Sequence, residues 1–176
     1  MAEDSQDLIV VPDPDTPQRG MLMFRGKRYP CVLGRNGVRK DKHEGDGATP
    51  VGRFPLRRVL YRADRGASPA TVLAVAAIAP NDGWCDAPND PAYNRPVTLP
   101  YPASAESMNR DDRLYDIVVV LGHNDAPVTP GAGSAIFLHV MPHDGGPTAG
   151  CVALSPEDLR EVLRGVTADS GVVVNG

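Results

Sequence analysis

Residues 136–159 read IFLHVMPHDGGPTAGCVALSPEDL, and the order of signals in this stretch decides the fold. Ile136–Val140 is a short apolar run. A Gly- and Pro-rich link follows, then a second apolar run from Cys151 to Leu154. Runs this short, bounded by turn residues, read as buried strands rather than helices. Ser155 can then cap a helix, Pro156 suits its first turn, and Asp158 stands three residues after the cap. Leu159, Val162, Leu163 and Val166 continue at helical spacing and give that helix one apolar face. Outward from here the chain is strand-like. Apolar segments appear at Leu8–Val11, at 53–62 (RFPLRRVLYR), at 115–122 (YDIVVVLG) and at 171–176 (GVVVNG). The stretch 21–34 (MLMFRGKRYPCVLG) reads as a hairpin turning at Gly26. Residues 71–79 (TVLAVAAIA) are expected to form a buried strand. The predicted class is mostly β, with one C-terminal helix packed on the strands.

The whole chain sets the limits. Its 176 residues suffice for one domain with a real core, expected to span 1–176. Residues 1–20 read as an N-terminal strand and linker. Gly and Pro number 18 each, which favours short strands joined by many turns. Net charge is −4 with both signs interspersed, so no nucleic-acid footprint is expected. No apolar run approaches membrane-span length, and the acidic N-terminus does not read as a signal peptide. Three cysteines, Cys31, Cys85 and Cys151, rule out a disulfide framework as the organising principle, although a Cys31–Cys85 bridge stays open. Residues 80–112 hold six prolines, from Pro80 to Pro102, and are expected to be a long irregular loop capping a cleft.

Chemistry concentrates at His139 and Cys151. If their strands are neighbours, imidazole and thiol can come within reach. A histidine that takes the thiol proton turns a weak nucleophile into a usable one. Gly150 allows close backbone approach, and the amides of Gly150 and Cys151 could donate to an oxyanion. These parts suit acyl transfer through a thioester. Two blander descriptions use the same residues: a core histidine beside an inert thiol, or zinc held by His139, His143 and Cys151. No CxxC pair or carboxylate cluster supports the zinc set, so no metal is expected.

The stretch HVMPHDGGPTAGCVAL resembles the active-site signature of the L,D-transpeptidase (YkuD-type) family: a histidine, a gap, then Ser/Thr-His-Gly-Cys and an apolar residue. His139, Thr148, Gly150, Cys151 and Val152 occupy the matching positions. DGATPVGRFPL (46–56) is similar to the family's DG-x-TP-x-G-x-F segment. The resemblance implies a mixed β-sandwich built around a cleft, with Cys151 as nucleophile and His139 as base. It also implies peptidoglycan stem peptides as substrates, no cofactor and acylation by carbapenems. The acyl group would pass to a diaminopimelate side-chain amine, forming 3–3 or 1–3 cross-links. Water as acceptor would instead make the protein an L,D-carboxypeptidase or amidase. The family favours the periplasm or cell envelope, whereas the unreadable signal peptide would fit the cytoplasm; a monomer is expected. Ala149 and Ala153 stand where the family has a second histidine and an Arg or Asn. Replacement substrate contacts are expected from Tyr93, Asn94 and Arg95 in the capping loop, from His123 and Asn124, and from Thr148.

Overall fold

The computed structural model describes residues 6–176; residues 1–5 of the N-terminal segment lie outside them. The elements are β1 (Leu8–Pro12), β2 (Arg19–Phe24), β3 (Lys27–Val32), β4 (Val38–Arg39), β5 (Thr49–Pro50), β6 (Gly52–Tyr61), β7 (Val75–Ala77), β8 (Asp82–Cys85), β9 (Pro96–Thr98), β10 (Ala105–Ser107), β11 (Ile117–Leu121), β12 (Phe137–Val140), β13 (Val152–Leu154), α1 (Pro156–Gly165) and β14 (Gly171–Val174). The expected class, mostly β with one helix, is what forms.

The principal sheet runs β11-β12-β13-β3-β2-β1-β14-β6-β7, and β11 also pairs with β6. The sandwich therefore closes into a ring of eight strands, with β7 appended to β6. Strand β6 makes the closure because it is ten residues long. Gly52–Pro55 pair with β14, and Leu56–Tyr61 pair with β11 across an irregularity at Val120/Leu121. The β2–β3 hairpin turns at Arg25-Gly26, both at positive φ, as a two-residue loop between twisted strands demands.

Alternation along the strands sorts side chains to two faces. Ile117, Val119 and Leu121 of β11, Leu138 and Val140 of β12, and Val152 and Leu154 of β13 fill the interior of the ring. Helix α1 closes this core with Leu159, Val162 and Leu163. Its cap forms as expected, with Ser155 Oγ accepting from the Asp158 amide at 3.1 Å. The other face of the same strands carries Val118, Val120, Phe137 and Cys151, which form a second buried cluster with Ile78, Trp84, Met108 and Tyr115.

That outer cluster is roofed by residues 80–112, and here the expectation of an irregular loop needs correction. The segment contains a three-stranded antiparallel sheet, β10-β8-β9. Its prolines do not forbid it. Pro96 opens the outer strand β9, and the remaining prolines fall between strands, where a missing N–H costs nothing. Trp84 anchors the roof. Its ring meets Phe137 edge-on at 5.0 Å, and its N–H donates to Asn94 Oδ1 at 3.0 Å.

The 71–79 stretch also differs from expectation. Only Val75–Ala77 form a strand, parallel to β6 and with no second partner among the described residues, and Ala76 and Ala77 are exposed. All three cysteines are free.

Candidate functional site

Strands β12 and β13 lie side by side and parallel, with Leu138 opposite Val152 and His139 opposite Ala153. Continued one residue back from β13, this register puts His139 and Cys151 on the same outer face as diagonal neighbours. Ala153, directly across from the imidazole, leaves that position small.

His139 is buried. Its Nδ1 lies 2.7 Å from the Val140 carbonyl oxygen. A carbonyl only accepts, so Nδ1 carries the ring proton and Nε2 keeps its lone pair. The ring also packs edge-on against Tyr115 at 5.4 Å. Burial lowers the imidazole pKa to about 4, opposed by the Val140 bond. Cys151 is 7% exposed. Its Sγ donates to the Ala135 carbonyl at 3.2 Å and accepts from the Phe137 amide at 3.4 Å. Burial pushes the thiol up to about 12; the Phe137 amide opposes this and Glu106 adds to it. The resting pair is thus a neutral thiol beside a neutral imidazole. No hydrogen bond joins Sγ to the ring among the described residues; the thiol rests on Ala135 and the imidazole on Val140.

The turn before Cys151 is built tightly. Thr148 Oγ1 donates to the Cys151 carbonyl at 2.6 Å and accepts from the Gly150 amide at 3.1 Å. Gly150 sits at φ 145°, and a Cβ there would stand 2.9 Å from the Ala48 carbonyl oxygen. The 46–56 segment supplies that carbonyl. It is fixed in turn by Asp46, which accepts from the Ala48 amide, and by Thr49, which accepts from the Gly34 amide, both at 2.9 Å. Two motifs distant in sequence are therefore one physical unit.

The Cys151 thiol opens on a cleft of about 160 Å³. Lys42 and Glu44 line one wall, Asp86 and Glu106 come from the roof, and Tyr115 and Ala149 complete it. Glu106 is held by Tyr115, whose hydroxyl lies 3.0 and 3.2 Å from its two oxygens. Burial raises the Glu106 carboxyl to about 7, opposed by that bond and by Arg110. A larger groove, about 1120 Å³, lies elsewhere, between Arg62, Leu114, Val140 and Arg160. It holds His143 but not Cys151, which separates His143 from the thiol. Among the described residues no group of three His, Cys, Asp or Glu side chains is placed to hold a metal.

Of the residues expected to touch substrate, several are occupied within the protein. Asn94 is 5% exposed. Its Oδ1 accepts from Trp84 Nε1 and the Ala135 amide, and its Nδ2 donates to the carbonyls of His123 and Asn124. Tyr93 donates to Glu44 and accepts from the Gly133 amide. His123 packs on Phe54 and reaches the Ala132 carbonyl, and Asn124 bonds Thr129 and Gly133. Arg95 bonds the Asp125 carbonyl beside a different hollow. Thr148 and the Gly150 amide serve the turn. Gly150 lines the cleft beside Cys151, whereas Tyr93, Asn94, Arg95, His123, Asn124 and Thr148 shape the loops around it. The carboxylates that do line it carry no sequence signal: Glu44 stands among charges of both signs in 35–47 (RNGVRKDKHEGDG), and Asp86 and Glu106 stand in the segment expected to be irregular.

The model of the YkuD family, the L,D-transpeptidase catalytic domain, matches residues 9–174. The chain belongs to the YkuD family. Among solved structures, Mycobacterium tuberculosis L,D-transpeptidase 1 is similar at 15% identity and a TM-score of 0.41, over 97% of this YkuD chain and 60% of that one. This chain thus spans less than two thirds of that protein. No curated protein matches it.

Proposed function

We propose that this protein is a peptidoglycan L,D-transpeptidase of the cell envelope, acting through a Cys151 acyl-enzyme. The observation that carries the reading is the register of β12 and β13, which sets a base with a free Nε2 and a thiol on one face under one roof. The Sγ proton passes to His139 Nε2 as sulfur attacks the carbonyl carbon of a stem-peptide amide. The tetrahedral centre collapses, the C–N bond breaks, and the departing amine takes the proton from His139. A thioester remains. A diaminopimelate side-chain amine then forms the new amide, and the sulfur recovers its proton. Because thiol and imidazole both rest neutral, His139 acts as a general base during attack, not as half of a standing ion pair.

Amine rather than water is the acceptor that suits a cleft lined by Glu44, Asp86 and Glu106. The products are 3–3 or 1–3 cross-links. The test is incubation with muropeptides followed by mass spectrometry. New dimers are expected from wild type and none from Cys151→Ala. Trimmed monomers without dimers would assign the protein to hydrolysis, and unchanged monomers with every donor would refute the reading.

A further inference from the structure

We propose that Glu106 is the second proton acceptor of this site, taking the first proton from the ammonium group of the amine that captures the acyl-enzyme. This rests on the transpeptidase reading above. The argument begins with a proton count. An alkylammonium arrives with three N–H bonds, and the amide product keeps one. His139 can return one of the two lost protons to the Cys151 sulfur. The other needs a different base. Ala149, which lines the cleft, offers none.

Glu106 meets the requirement by position. It stands on β10, in the roof, and its carboxyl faces the cleft that Cys151 opens on. The hydroxyl of Tyr115 steadies the carboxyl, which keeps lone pairs for a further N–H donor. Independently, Asp86, which lines the same cleft, has a buried Oδ1 with no hydrogen-bond partner among the described residues. A buried acceptor without a donor is costly unless a ligand supplies one. The other charges around Glu106 do not satisfy it. Lys42 is paired with Asp46, Arg110 with Asp112, and Glu44 is bonded by Tyr93 and Ser134. Arg35 is exposed at the rim. Burial tunes the carboxyl to about 7, where a base is both ionised and strong enough to work near neutrality.

The step balances. Glu106 carboxylate takes one proton from nitrogen, and the freed lone pair attacks the thioester carbon. The C–N bond forms and the C–S bond breaks. The second nitrogen proton passes to His139 Nε2 and on to sulfur, and Glu106 releases its proton to water.

The test separates the two half-reactions in wild type and Glu106→Gln. Acyl-Cys151 formation from a stem-peptide donor is followed by intact mass. Its capture is followed with ethylamine, cationic at pH 7, and with trifluoroethylamine, largely neutral there. The ratio of capture to acylation cancels any loss of folded protein. For ethylamine this ratio is expected to fall about 100-fold, and for trifluoroethylamine to change little. An equal fall for both amines, or none for ethylamine, overturns the proposal. Tyr115→Phe gives a second readout. It keeps the ring against His139 but removes the bond that favours ionised Glu106, so the pH midpoint for ethylamine capture rises. An unmoved or lowered midpoint overturns the proposal. A wild type that forms no acyl-enzyme sinks the transpeptidase reading with it. An acyl-enzyme that Glu106→Gln aminolyses normally sinks this inference alone.

Discussion

Replacing Asn94 by Ala tests whether the roof is fastened as described. The side chain makes four hydrogen bonds, at 3.0 Å from Trp84 Nε1, 3.0 Å from the Ala135 amide, 3.0 Å to the His123 carbonyl and 2.8 Å to the Asn124 carbonyl. Each buried bond contributes about 1 kcal/mol net, and the stranded partners keep their desolvation cost. Asn94 also sits at φ 56°, where Asn is better tolerated than Ala. The expected loss is about 4 kcal/mol in urea unfolding at neutral pH. At roughly 2–4 °C per kcal/mol for a chain of this length, the melting temperature falls by about 8–16 °C. The change is also felt at the nucleophile, because the Ala135 carbonyl that receives the thiol lies one peptide from the freed amide. Iodoacetamide therefore alkylates Cys151 faster in the variant. If Asn94 instead bound substrate directly, the variant would melt within about 1 kcal/mol of wild type and lose affinity for the donor peptide. That result would refute the account of Asn94 as a fastener.

Further outcomes follow from the site. The folded His139 titrates near 4, against about 6.5 for an unfolded chain. As pH falls through that window the unfolded chain binds a proton the folded state refuses, so stability drops by up to about 3 kcal/mol. Urea unfolding at pH 7 and pH 4.5 should show a smaller loss for His139→Asn than for wild type. The reverse sign holds at high pH. Cys31 and Cys151 are both pushed up to about 12 by burial, so the unfolded chain ionises its thiols first and stability declines above about pH 9. Gly150→Ala sets a methyl 2.9 Å from the Ala48 carbonyl at φ 145° and should cost about 2 kcal/mol or more in the same assay; a neutral result would show the turn to be loose. Incubation with a carbapenem should add one intact drug mass to wild type and none to Cys151→Ala. An adduct on Cys31 or Cys85 would contradict the assignment of the nucleophile.

Local signals made much of the fold legible. Ser155-Pro156, the Arg25-Gly26 turn and the apolar runs at β11 to β13 each specify their element within a few residues. What stayed hidden was long-range. Nothing in 52–61 announces that one strand will pair with β14 at one end and β11 at the other. The roof is hidden because six prolines predict an irregular segment, whereas only a proline's position within a strand decides whether the strand forms. The site divided in the same way. His139 and Cys151 are marked by residue type and spacing. Asn94 looked like a ligand because its amide is polar and lies in a loop, and only the fold shows that four internal groups occupy it. Glu106 gives no signal, since its chemistry comes from burial against Tyr115, nine residues on in sequence, in the turn that enters β11.

Among the described residues, the interior of the ring takes none from positions 80–112. What shapes the reaction chamber and what keeps the barrel standing are therefore largely separate inheritances. Variation at the positions of the covering segment that do not fasten it can retune which peptides are admitted while the thermodynamic foundation stays put. An engineer could graft a covering segment from a distant relative onto this barrel and alter selectivity at little risk to folding, provided Trp84, Asn94 and Met108 keep their seats.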